Sequence, residues 1–244
     1  MTASVCPVAG NVICASKNAV FPAGQAHVGA GFKILLTSSR ALGTLSRREG
    51  LAMNPAYQGQ LDVFCAAYAV INAMRHMHAT RLLTCRALLH EALLDAAGDE
   101  DFFKAILDQR TDYADWVDAM LGRLEKQGSL LTARPFPTSF PGPDAPSPDA
   151  LWEEIAAWLR KGERNAVLLQ FVRVLYPTDA VIRHWTCCND AVGDTLMLFD
   201  SSIEPGSLHQ LDRKSLITDP ALDGPGKVLI VPYTLRFLRP RIGR

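Results

Sequence analysis

No apolar run in this chain of 244 residues approaches the roughly 18–20 residues of a membrane-spanning helix, so no span is expected and the protein reads as soluble. Cysteine is scarce, at six residues, which excludes a disulfide scaffold, and no CxxC pair occurs to seed a four-ligand zinc site. Charge of one sign is missing too. Lys+Arg and Asp+Glu each number 25, which excludes an acidic disordered chain and gives no support for nucleic-acid binding through bulk positive charge. Met1–Gly10 lacks the basic cluster and long apolar stretch of a secretory signal, so the reducing cytoplasm is the expected place of synthesis. Gly24–Gly31 lacks both the preceding strand and the Lys-Ser/Thr ending of a phosphate-binding loop. Internal repeats are absent from the sequence. What is present is 48% hydrophobic residues, enough for a real core at this length.

Residues 1–50 are rich in small side chains, with Phe32–Thr37 the one strand-like run, and read as an N-terminal extension to a domain over 51–244. Asn54–Asp62 (NPAYQGQLD) is turn-rich and predicts a loop. The spacing of Ala66, Ala69, Val70, Ala73, Met74 and Met77 predicts a helix over Cys65–His78. Further helices are expected over Arg81–Ala97, Asp101–Gln109 and Asp112–Gln127. The six prolines of Arg134–Asp149 predict an extended connector. A short helix follows, capped by Ser147 or Asp149 and carrying Leu151, Trp152, Ile155, Trp158 and Leu159 up to Gly162. The period then changes to strands at Ala166–Val174, His184–Asn189, Thr195–Phe199 and Lys227–Pro232. Helices first and strands second predict an α+β fold with an antiparallel sheet.

Three places can carry chemistry. Cys65 opens an apolar helix directly after a polar loop, where the helix dipole and free N–H groups favour a thiolate. Gln60, five residues earlier, is placed to fold back and form an oxyanion hole with the Cys65 N–H. His184 opens one strand and Asp200 closes the next. A hairpin centred on Val192 sets them opposite each other, with Cβ atoms roughly 4.5–5.5 Å apart. A carboxylate there fixes the imidazole tautomer and stabilises its charged form.

Each of these residues has an ordinary reading as well. A cysteine on an apolar helix is usually a small core residue, His184 an edge-strand histidine, and Asp200 before Ser201 a turn residue. Their joint order, Gln-Cys-His-Asp in matching contexts, favours function. Cys187 and Cys188 fall on opposite faces of a strand and are expected to be packing residues rather than ligands joined to His184 and Cys85. His76, His78 and His90, near Arg75, Arg81 and Arg86, read as a solvated basic surface. Trp116, Trp152 and Trp158 are core candidates, whereas Trp185 is a candidate wall of a substrate cleft.

The run QLDVFCAAYAVINA, from Gln60 to Ala73, resembles the active-site helix of papain-like cysteine peptidases. The Gln five before the Cys and Asn72 after it are especially similar to Josephin-type deubiquitinases. His184-Trp185 and the later FDSS at Phe199–Ser202 resemble the strands that carry that family's base and orienter. Bacterial enzymes of the bacteriocin-processing branch, some of them toxins delivered by type VI secretion, share the layout. Ala66 stands where Gly is frequent in the family, and Gln58 competes with Gln60. The resemblance implies a papain-like fold: a helical half led by the Cys65 helix, a C-terminal sheet and a cleft between them. It implies Cys65 as nucleophile, His184 as general base and acid, Asp200 as orienter and Gln60 as oxyanion donor, with no cofactor or metal. The expected function is cysteine-peptidase cleavage of a protein or peptide substrate. An effector role would add delivery into a target cell by a signal-independent route and a cognate immunity protein. A deamidase, a transglutaminase or a deubiquitinase-like isopeptidase uses the same triad, and a silent peptide-binding module uses only the cleft.

Overall fold

A run of small and apolar residues with few charges has no face to give to water, and Cys65–His78 forms accordingly a helix, α1, buried on nearly every side. This computed structural model describes residues 54–59, 62–133, 146–174, 181–202, 207–222 and 224–241. The extension over 1–50, its strand-like run, Gln60 and residues 134–145 of the connector lie outside the described residues. Three helices follow α1: α2 (Leu82–Ala97), α3 (Glu100–Leu107) and α4 (Ala114–Lys126). Asp99 caps α3 by accepting the Phe102 N–H at 3.0 Å. A short strand, β1 (Leu130–Ala133), precedes α5 (Pro148–Arg160). Of the two cap candidates Ser147 holds the position: its Oγ accepts the Ala150 N–H at 3.2 Å, and Pro148 occupies the first turn.

The remaining strands are β2 (Ala166–Val174), β3 (Val181–Val192), β4 (Thr195–Leu198), β5 (Gln210–Asp212), β6 (Leu216–Ile217), β7 (Val228–Ile230) and β8 (Arg236–Pro240). The sheet runs β1-β8-β2-β3-β4-β5, with β7 on the end of β2 and β6 beside β7. The α+β expectation holds. The antiparallel one holds except at β6–β7, a two-residue parallel pairing reached through a 3-10 turn and an irregular connection.

Alternation along the strands gives the sheet two apolar faces. Ala166, Leu168, Trp185, Cys187 and Leu238 pack against α1 and the helices around it. Val167, Leu169, Phe171, Cys188, Leu196 and Phe237 pack against Leu151, Trp152, Ile155 and Leu159 of α5. Each large side chain so buried contributes about 1.5–3 kcal/mol. Cys187 and Cys188 therefore serve two different cores. Trp185 is fully buried on the helical face and donates its indole N–H to Asp112 O at 2.7 Å, so it walls no cleft. The expected basic surface holds at His78, Arg81, Arg86 and His90, which are exposed, and is corrected at Arg75 and His76. Arg75 is buried and donates to Asn54 O and Thr80 O, while His76 and His78 bond the carbonyls of Asn165 and Ser129.

Candidate active site

Cys65 is the first residue of α1, at 8% exposure, and Phe64 precedes it in the cap position. No side chain caps that end and its first turn holds no acid, so its N–H groups and the positive end of the dipole face the sulfur unopposed. The approach to Cys65 is held from two directions. Asn72, fully buried one face along α1, accepts the Ala56 N–H at 2.7 Å and donates to Ala56 O at 3.2 Å. Asp62 gathers the turn: its carboxylate accepts the N–H groups of Gly59 and Phe64, and its carbonyl accepts the Gln58 side-chain amide at 2.6 Å. That amide is committed locally.

The spatial link from the cysteine to the His–Asp pair is a backbone bond. The Gln58 N–H donates to Ser201 O at 2.9 Å, one residue after Asp200. The loop that delivers Cys65 is thus tied to the strand end that delivers the carboxylate.

The hairpin itself differs from the expectation. Its turn is Gly193-Asp194, closed by the Val192–Thr195 pair, and Gly193 takes φ +57°, which a tight two-residue turn requires. From there Ala191 pairs with Leu196 and Asp190 with Met197, but Cys188 pairs with Leu198, leaving Asn189 as a bulge. The Phe199 N–H then bonds Cys187 O at 2.7 Å. Continued, that register puts Asp200 opposite Thr186, two residues from His184 on the same face. The pair is diagonal, not directly opposed. Without the bulge Asp200 would oppose Cys187 and point to the helical face.

His184 Nε2 lies 3.0 Å from Asp200 Oδ2. Asp200, 1% exposed, also accepts the Ser202 N–H at 2.7 Å through Oδ1, so it is an orienter and a turn residue at once. Its charge is costly to bury, yet the bonds and charge of His184, helped by Thr186 and the Ser202 N–H, hold its pKa below the usual value. Burial works against a charged His184 as well. The hydrogen bond and the charge of Asp200, reinforced by the nearby Cys65 thiol, outweigh it, raising the imidazole to about 10. With Nε2 taken by Asp200, Nδ1 is the ring atom left for the Cys65 sulfur. Cys65 belongs to the helical core, while the His184 ring rests 5.4 Å from the Phe171 ring of the other core. The site forms where the two cores meet.

No family model, no curated protein and no solved structure matches this chain. The reading of the site therefore rests on its own geometry. Cys65, His184 and Asp200 are brought together, and Gln60 lies outside the described residues. Asn72, Asp62 and the Asn189 bulge were not assigned a role from sequence. Asn72 was noticed only as part of a motif, and a single-residue bulge has no compositional mark.

Proposed function

We propose that this chain is a papain-like cysteine peptidase that cleaves a protein substrate through a covalent acyl-enzyme. The observation that carries the reading is the chain of groups Cys65–His184–Asp200, in which Asp200 holds one ring nitrogen and the other is left for the thiol. A raised imidazole pKa suits an ion pair with a thiolate at neutral pH. The Cys65 thiolate attacks the scissile carbonyl carbon and the carbonyl π electrons move to oxygen. The Cys65 N–H and, on this reading, the Gln60 amide receive that oxyanion. His184 gives its proton to the leaving amine as the C–N bond breaks. Water then loses a proton to His184, attacks the thioester and frees the acid and the thiol. The effector role and the immunity partner are extensions of this proposal and rest on the family resemblance alone.

The deciding experiment is intact-mass labelling by a cysteine-peptidase electrophile at neutral pH. One adduct on the wild type, absent from Cys65→Ala and at least about a hundredfold slower in His184→Ala, is the expected outcome. Labelling that Cys65→Ala leaves unchanged would sink the enzyme reading. New chain termini in a target then separate a peptidase from a deamidase, which adds about one dalton without a cut.

A further inference from the structure

Arg173 is a cation beside this site that no carboxylate pairs with among the described residues. It lies on β2 two residues past Phe171 and on the same face, so its Cα is about 7 Å further along the strand. Its guanidinium carbon sits 5.8 Å from the centre of the Phe171 ring, whose opposite neighbour is the His184 ring at 5.4 Å. Phe171 thus lies between the guanidinium and the imidazole, its ring tilted 53° from that of His184. Yet Arg173 Nε is buried with no hydrogen-bond partner, and among the described residues no carboxylate pairs with the guanidinium. Burial draws its pKa down, opposed by the charge of Asp200. Leaving such a donor unpaired is unfavourable, and a bound acceptor would remove that cost.

The surroundings supply room for that acceptor. Arg173 lines a cavity of about 570 Å³ with Ser207, His209, Asp212, Ser215 and Lys227. Lys227 adds a second cation, and Asp212, the one carboxylate among the described lining residues, accepts a hydrogen bond from the Thr195 hydroxyl at 3.0 Å. The cavity wall is joined to the triad: Ser207 Oγ donates to Ser202 Oγ at 2.8 Å, and the Ser202 N–H holds Asp200.

We infer that Arg173 is the specificity residue of the site and receives a carboxylate of the substrate, one or two residues from the scissile bond. This rests on the cysteine-peptidase reading for the bond that is cut, though not for the binding itself. The carboxylate comes either from an Asp or Glu side chain or from a chain terminus; both present the same planar acceptor to a guanidinium.

Two measurements on the full chain test it. The first is labelling of Cys65 by peptide electrophiles that differ only in Glu against Gln, or in a free against an amidated C-terminus, with iodoacetamide as a probe that lacks recognition. Wild type is expected to favour one acidic probe by roughly tenfold or more, and the favoured member identifies the source. Arg173→Gln should erase that preference, Arg173→Lys should restore part of it, and neither should change the iodoacetamide rate more than about twofold. Equal rates for acidic and neutral probes on wild type, a preference that survives in Arg173→Gln, or an iodoacetamide rate that falls with the substitution would each overturn the assignment. The second is binding of the acidic and neutral peptides to Cys65→Ala, read by fluorescence anisotropy. Arg173-dependent binding without any Cys65 labelling would retire the peptidase and keep the carboxylate site. Labelling with no acid preference in binding would do the reverse.

Discussion

The two faces of the sheet are built by different means. The helical face is a layer of α1 to α4 over Trp185 and Cys187, with Ala66, Ala67, Ala69 and Ala73 letting α1 approach the strands closely. Its polar groups are spent on holding chain to chain, as when Trp116 donates to Ala92 O at 3.3 Å. The opposite face is covered mainly by one helix, α5, and its apolar cluster ends at Phe171. Beyond that residue come His184, Asp200 and Arg173, where burial is incomplete and charge is concentrated. One face holds the fold together; the end of the other gathers the groups on which the proposed chemistry depends. A thiol from the first core and a base from the second meet there.

Inserting one alanine between Phe199 and Asp200 should break that division most severely. The extra residue moves Asp200 from opposite Thr186 to opposite Trp185, which turns it toward the helical face and away from His184. Electrophile labelling of Cys65 is expected to fall at least about a hundredfold, as in His184→Ala, while circular dichroism keeps the helical signal of α1 to α5. Retention of full labelling would mean that the carboxylate is not what readies the base.

Asp200→Asn probes the same contact with smaller damage, because Asn keeps the bond to the Ser202 N–H. The folded His184 lies at about 10, above its ordinary 6.5, so its stabilisation is complete below pH 6.5 and disappears as pH rises through 10. Asp200 is shifted the other way: its stabilisation is present above its ordinary 3.8 and disappears as pH falls through the lowered folded value. The stability gap between wild type and Asp200→Asn, measured by chemical denaturation, should therefore be widest between these limits and narrow on both sides. The alkaline limit of Cys65 labelling should move from near 10 down toward 6.5. An unmoved limit would show that Asp200 does not set the charge of His184.

Much of this was legible before any coordinates. The bounds of α1 and β2 follow from apolar runs that begin after a loop and end at polar residues, and both fall where the pattern places them. Cys65 and Asp200 were legible for the same reason, as residues at or just past an element end, whereas His184 lies inside β3, which begins at Val181 and not at His184. The register of the hairpin was not: its turn lies at Gly193-Asp194 and not at Val192, which with the Asn189 bulge sets Asp200 opposite Thr186, and Asn189 differs in no local property from a strand residue. Strand β8 was missed because only Phe237 and Leu238 mark it as apolar, and they follow Arg236, whose charge is buried against Asp118 at 2.6 Å, a contact 118 residues away in the chain. Arg173 was passed over as one polar position in an apolar strand. Its significance lies in the hydrogen-bond acceptor that its Nε lacks among the described residues.

Asn72→Ala tests whether the helical face also contributes to the site. The substitution removes both bonds to Ala56 and leaves that peptide's N–H and C=O without their partner, at a cost of about 2 kcal/mol in unfolding free energy. The same bonds anchor the loop that reaches Ser201, so Cys65 labelling should slow by a few fold with its pH limits unchanged. A loss of stability with no change in labelling would confine Asn72 to the fold.

The smallest effects belong to the adjacent thiols, and they sharpen the comparison between faces. Cys187 packs under α1 and Cys188 under α5, each fully buried, and burial raises both thiols above the ordinary value. Neither should take up an electrophile while the protein is folded. Cys187→Ala and Cys188→Ala each shorten one buried side chain by a single atom and should cost about 1–2 kcal/mol, through two separate cores. Because the cores share no side chain, the double variant should lose the sum, within about 0.5 kcal/mol. A shortfall from additivity would mean that the sheet transmits strain between its faces. In that event the helical layer would influence the base at His184 as well as position the thiol.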